Sequence, residues 1–278
     1  MELSIKHTTS YEYNVPIDNL IQTTKLYPSE NNALKIINWN VTRDGSKKSK
    51  MYSDGEANII QSFSNKNKVK SVNFFVNGKV ETFDTKGIYN NPLDKINPIV
   101  YLRNTTLTQS DSAIIELAHD AKNGTSKNHL DVSHELLRLV AERVEYKPLT
   151  TSNETTAIVA YQQKKGVCQD QAHIMISAAR SIGIPARYVN GYMHNNSHSS
   201  EFQSTHAWAE FYIENLGWVG FDPTNNCSPD ERYIRVSCGL DANYAAPIKG
   251  VFYGRSNSNG SVEKLKISVQ TLEYNSQQ

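Results

Sequence analysis

Residues 166–192, GVCQDQAHIMISAARSIGIPARYVNGY, constrain the chain most, because they predict a helix and a strand joined back to back. Ala172, Met175, Ile176, Ala179 and Ile182 recur at helical spacing and form one apolar face. Gly183 suits the position just past a helix end, where a left-handed backbone closes the last turn, and Pro185 prevents the helix from continuing. ARYVNGY then reads as a strand. Cys168 falls at the start of the helix. Taken alone it reads as an inert, buried thiol. A helix end, however, offers unsatisfied N–H groups and a dipole that favour a thiolate.

The segments before and after this unit differ in kind. Up to about residue 88 the pattern is β: Leu3, Ile5, His7, Thr9, Tyr11 and Tyr13 alternate, as do Ile37, Trp39 and Val41, and Val72, Phe74 and Val76. Asn77-Gly78, between two alternating runs, predicts a hairpin turn. Residues 89–110 hold two prolines and several turn formers and read as a connection. Helices follow at about 111–121, capped by Ser110 or Asp111, at 129–146 with Val132, Leu136, Leu139, Val140 and Val144 inward, and at 153–163 with Ser152 or Asn153 as cap. Beyond the opening unit, strands are predicted at 205–213, 217–224, 233–239, 249–254 and 261–273, with a Ser/Asn/Gly-rich gap at 256–260. The expected class is α+β: an antiparallel, sandwich-like β domain over 1–100, then helices packed on an antiparallel sheet over 101–278.

The chain has 278 residues, enough for two domains, with a formal net charge of +1 and 21% charged residues. That balance gives no electrostatic case for nucleic acid or an anionic membrane surface as partner. The basic stretches GSKKSK and SNKNKVK are short and broken by Ser and Asn, and read as solvated loops or strand edges. MELSIKHTTSYEY lacks an apolar core of the signal-peptide kind, and no run is long enough to span a bilayer. Three cysteines, Cys168, Cys227 and Cys238, fit free thiols in a reducing, cytoplasmic setting. No metal-ligand spacing is present, so neither a metal nor another cofactor is expected.

A nucleophilic cysteine needs a base, and the base needs an orienting group. His206 opens a strand in which Ala207, Ala209, Phe211 and Ile213 take one face and His206, Trp208, Glu210 and Tyr212 the other. Asp222 ends the next strand. Opposed residues in an antiparallel pair share a face, so register decides whether the two can meet. If Ile213 pairs with Trp218, Asp222 lands on the face opposite His206. If Ile213 pairs with Gly217 across a loop of Glu214, Asn215 and Leu216, Asp222 faces Trp208, diagonal to His206. A triad therefore predicts an odd-length loop or a bulge in this hairpin.

The motifs GVCQDQAHIMISAARSIGIPARYVNGY, STHAWAEFYIENLGWVGFDPTN and IRVSCGLDANYAAPIKGVFYG, preceded by IKHTTSYEYNVPI and KLYPSE, strongly resemble the bacterial transglutaminase-like superfamily with its N-terminal β domain. The resemblance implies a papain-like core with a Cys-His-Asp triad: Cys168 the nucleophile, His206 the base, Asp222 the orienting group. The chain departs from the family pattern at Gln171, where an aromatic is usual, and at LDANYAAP, where an acidic run is usual. The first change bears on packing behind the nucleophile, the second on the substrate site, and neither falls on the triad.

Of the supporting residues, the Cys168 N–H is a natural oxyanion donor and Gln162 a candidate side-chain donor. Trp208 and Trp218 could wall the cleft, with core packing the plainer role for Trp218. Asp170 reads as a cap, His173 as a core residue, and Cys227 and Cys238 as bystanders. The expected activity is amide hydrolysis through a thioester on a peptide or protein substrate, as in a cysteine peptidase. The alternatives are resolution of the same acyl-enzyme by an amine, as in a transglutaminase, and a non-catalytic binding module on the same fold.

Overall fold

The computed structural model describes residues 1–125, 128–195, 205–252 and 262–273; the gap expected at 256–260 lies outside them. The chain opens with β1 (Glu2–Ile17), β2 (Ile21–Tyr27), β3 (Leu34–Arg43), the short β4 (Lys47–Lys48) and β5 (Tyr52–Ser53), then β6 (Ile59–Ser64), β7 (Val69–Thr82) and β8 (Ile88–Tyr89). Two 3-10 turns, Pro98–Leu102 and Thr106–Thr108, lead into α1 (Ser112–Asn123) and α2 (His129–Arg143). Next come β9 (Glu145–Tyr146), α3 (Ala157–Gln163), β10 (Lys165–Gly166) and α4 (Cys168–Ser181). The remainder is strand: β11 (Ala186–Met193), β12 (Thr205–Ile213), β13 (Gly217–Phe221), β14 (Tyr233–Gly239), β15 (Ile248–Val251) and β16 (Val262–Glu273). Among the described residues no helix is long and apolar enough to cross a membrane.

Among the described residues three antiparallel sheets carry the fold, ordered β16-β1-β7-β3, β15-β2-β6-β4 with β5 beside β6, and β14-β11-β12-β13-β8, and β9 and β10 form a short parallel pair. Between the first two, Tyr13, Leu26, Val41, Phe63, Phe74 and Val76 bury an apolar layer, with Phe63 and Phe74 edge-to-face at 5.5 Å. The third sheet carries the helices. The inward set of β12, Ala207, Ala209, Phe211 and Ile213, packs into one cluster with Ala172, Met175, Ile176 and Ala179 of α4.

This topology corrects the division at residue 100. β15 and β16, expected in the second domain, pair with β2 and β1, while β8, expected in the first, pairs with β13. Alternation specifies a strand and its inward face but leaves its partner open. The chain thus returns to close the β sandwich after building the helical core. Asn77-Gly78 is also not a turn. β7 runs straight through it, paired with β1 on one side and β3 on the other. Gly78 instead makes room for an indole, since a Cβ there would lie 2.1 Å from the Trp39 ring.

α4 is buried on nearly every side, so its polar residues are tied to surrounding chain rather than to solvent. Arg180 donates to the carbonyls of Tyr101 (2.9 Å), Ala186 (2.8 Å) and Leu240 (2.7 Å) and to the Thr108 hydroxyl (2.7 Å). Its end is built as the sequence predicts. Gly183 has φ +85°, and the N–H groups of Ile184 and Gly183 return to the carbonyls of Ala179 and Arg180. The α1 cap is Asp111, accepting from the Ile114 N–H. α3 starts later than expected, because Thr156, not Ser152 or Asn153, accepts from the Val159 N–H.

Two buried histidines hold the layers together in their neutral form. His7 Nδ1 lies 2.7 Å from the Tyr192 hydroxyl across the sandwich–core junction, and His173 Nε2 accepts from the Ala242 N–H at 3.1 Å. Burial lowers each pKa to about 4. The unfolded chain therefore binds these protons first. Their contribution to stability is intact above about pH 6.5 and declines as pH falls toward 4, by up to about 3 kcal/mol for each. Urea titrations at pH 7 and pH 4.5 check this: His7→Gln is expected to shrink the difference between the two, and an unchanged difference would remove His7 from the account.

Candidate active site

The α4 N-terminus is shaped by Asp170, whose buried carboxylate accepts from the Val167 N–H at 2.8 Å and the Thr151 hydroxyl at 2.7 Å. Gly166 lets that side chain fold back, since a Cβ there would stand 2.7 Å from it. Burial raises the Asp170 pKa against these hydrogen bonds. Cys168 is thereby the first helical residue, partly exposed, where the opening N–H groups have no partner inside the helix.

The β12–β13 hairpin has the odd register. Ile213 pairs with Gly217, leaving Glu214, Asn215 and Leu216 as the loop. His206 Nε2 and Asp222 Oδ2 meet at 2.7 Å, and both residues are buried. With Nε2 engaged by the carboxylate, Nδ1 is the ring nitrogen left for the Cys168 thiol. Burial opposes a charge on His206, but the hydrogen bonds and charges of Asp222 and Cys168 outweigh it and raise its pKa to about 10. Asp222 is lowered in spite of burial by His206, Asn225 and Tyr233. Its Oδ2 also accepts from the Asn225 amide and the Tyr233 hydroxyl, each at 2.7 Å, and its Oδ1 from the Thr224 N–H at 3.0 Å. Paired backbone bonds with Cys227 pin the turn. Cys168 and His206 line one cleft.

Two sequence expectations fail here. Gln162 is exposed at the end of α3 and donates to Asp111 at 3.3 Å, because Lys164 (φ 54°) and β10 turn the chain between it and Cys168. Trp208 does not wall the cleft. It is 2% exposed and packs beside the His206 ring at 6.2 Å and edge-on to Tyr233 at 5.5 Å, so it steadies the imidazole from behind. Trp218 is a packing residue, with the Arg187 guanidinium 3.8 Å over its ring. Arg187 is buried with Glu210 and Asp94, and Tyr192 is bound to His7, so neither lines the cleft. Cys227 sits 3.4 Å from the Tyr233 hydroxyl, and Cys238 is fully buried, which raises its pKa to about 11.

Sequence reasoning missed Thr224, Asn225 and Tyr233; the polar run DPTNN after the strand was a signal for the first two, and nothing local marks Tyr233. It also set Gln171 apart from the triad. The structure links them: buried Gln171 donates to the Val144 carbonyl at 2.8 Å and accepts from the Thr224 hydroxyl at 2.7 Å. The Gln171 amide thus ties α4 to the turn carrying Asp222. Gln171→Leu is expected to lower kcat roughly tenfold with KM held, and Thr224→Val added to it should cost little more. Steady-state kinetics of the two single variants and the double variant check this; fully additive losses would mean that the two side chains act apart.

A profile for the transglutaminase-like superfamily matches residues 116–223, and one for the bacterial transglutaminase-like N-terminal region matches residues 3–81. An uncharacterized protein of Mycobacterium leprae is 38% identical over 122 residues, 42% of this chain and 43% of its own length. A protein-glutamine gamma-glutamyltransferase of Pseudomonas aeruginosa is 28% identical over 109 residues, 36% of this chain and 16% of its own length. The chain spans less than half the length of the curated relatives it matches first. Among solved structures, a candidate cysteine protease from Cytophaga hutchinsonii superposes with a TM-score of 0.71 at 19% identity, over 99% of this chain and 92% of that one, a likeness of fold.

Proposed function

Because the chain belongs to the transglutaminase-like superfamily, with a bacterial transglutaminase-like N-terminal region ahead of the core, we propose that it is a cysteine-dependent amide hydrolase acting on peptides or proteins. The observation that carries this reading is the buried 2.7 Å bond between His206 and Asp222 beside Cys168. A cationic imidazole held by an ionised carboxylate supplies positive charge to the sulfur and a proton for the leaving group. Cys168 attacks the amide carbonyl, and the α4 N-terminus faces the developing oxyanion. His206 gives its proton to the departing amine as the C–N bond breaks, leaving a thioester on Cys168. Water, deprotonated by His206, then attacks the thioester, and the C–S bond breaks to release the acid and restore the thiolate beside the cationic imidazole.

A second reading has support in the Pseudomonas relative's printed name: an amine in place of water would resolve the same thioester to a new amide. Partial exposure of Cys168 in an open cleft supports water as the acceptor. Trapping the acyl-enzyme from an activated ester and partitioning it between water and an added alkylamine separates the two. Acid is expected as the main product at millimolar amine, and amide as the main product would replace hydrolysis by acyl transfer. The free thiols support the cytoplasmic placement, which stays part of the proposal.

A further inference from the structure

β16 pairs antiparallel with β1, placing Leu265, Ile267, Val269 and Thr271 opposite Tyr11, Thr9, His7 and Ile5. These four share one face, turned toward the body of the molecule. Val269 and Thr271 are 5% and 2% exposed, and Val269 packs with Tyr192 and Ile234 of the core. Leu265 and Ile267, on the same face, are 46% and 50% exposed. They are uncovered where the strand passes the cleft holding Cys168 and His206, and Tyr11 and Ile248 extend the same lining. Large aliphatic side chains left open on an inward face, beside a reactive group, mark a surface that a ligand covers.

The rest of the lining narrows the chemistry. Asn153, Gln169, Asn190 and Asn243 are among the lining residues, and amide side chains suit peptide N–H and C=O groups. Among the described residues that line it there is no Asp, Glu, Lys or Arg. Lys264 and Lys266 alternate onto the other face of β16. Among the described lining residues a charged side chain would lose water and meet only the His206 imidazole, already paired with Asp222, whereas an apolar one would cover Leu265 and Ile267.

We infer that the cleft accepts a peptide acyl donor carrying an uncharged, apolar side chain next to the scissile carbonyl, with Leu265 and Ile267 as its specificity wall. This rests on the proposed function and adds the substrate class. It also gives the returning C-terminal strand a role in substrate choice beyond closing the sandwich.

The test uses short peptide p-nitroanilides that differ in one acyl-side residue: Leu, Phe, Lys or Glu. Wild type is expected to show kcat/KM at least about tenfold higher for Leu and Phe than for Lys or Glu. The Leu265→Lys, Ile267→Lys double variant is expected to move the Leu-to-Glu ratio toward Glu by more than about tenfold, and the milder Leu265→Ala to lower it. A ratio is read because a general loss of folding or activity leaves it unmoved. A flat wild-type profile, or a ratio unchanged in both variants, would overturn the inference. If no peptide is turned over at all, the hydrolase reading fails instead. Fluorescence anisotropy of labelled, uncleavable Leu and Glu peptides on the Cys168→Ala protein then still tests the wall, and equal affinities would sink it.

Discussion

Replacing Cys168 by Ala is expected to remove turnover, with a loss of about 10⁴-fold or more, and to leave the fold intact. The side chain is small and partly exposed at the first position of α4, at the margin of the helical core, so losing one sulfur atom there disturbs little packing, and Asp170 rather than Cys168 closes the helix start. The rate, by contrast, depends on the sulfur entirely. Without it there is no thioester, and what remains is the weak help of dipoles and binding. Assays on amide and ester substrates, with a thermal melt beside them, check both halves. Residual activity within tenfold of wild type would take the nucleophile elsewhere, Cys227 being the first alternative to examine because it adjoins Tyr233 and the Asp222 turn.

The second large effect is expected from Asp222→Asn, a loss of roughly 10³- to 10⁴-fold in kcat/KM with a changed pH profile. The carboxylate accepts from His206, Asn225, Tyr233 and the Thr224 backbone, and the Asn variant keeps the volume while losing the charge. In wild type, His206 stays protonated up to about pH 10, so proton delivery to the leaving amine fails only as pH rises through that value. The variant removes the charge that outweighs burial, so the basic limb of kcat/KM is expected to move toward lower pH. Stability follows the same sign. The His206 contribution is full below about pH 6.5 and is lost as pH rises through about 10, and the variant should flatten that decline. A rate loss without movement of the limb would make Asp222 a structural residue only.

Much of this was legible in the residues, for reasons that are local. The α4 boundaries follow from Gly166, Gly183 and Pro185, whose backbone preferences act within one turn. The three-residue loop before Gly217 follows from parity, since the alternate register would have sent Asp222 to the wrong face. What escaped was non-local. Asn77-Gly78 carries the composition of a turn, yet Gly78 answers to Trp39, 39 positions earlier in the sequence (78 − 39 = 39) and its neighbour only once β3 and β7 are paired. The partners of β15 and β16 depend on the path of the whole chain. Gln162 is near Cys168 in sequence but not in space, because a left-handed residue and a short strand redirect the backbone between them. Thr224, Asn225 and Tyr233 converge on Asp222 from a turn and a separate strand, and Gln171 reaches that turn only through a tertiary hydrogen bond.

The central claim is that Cys168, His206 and Asp222 work as one chemical unit. Iodoacetamide alkylation near pH 7, followed residue by residue with peptide mass spectrometry in wild type and in His206→Ala, tests it most directly. Cys168 is expected to react well ahead of Cys227 and Cys238 in wild type and to lose that lead in the variant. A Cys168 that reacts no faster than Cys227, or one whose rate is indifferent to His206, would contradict it.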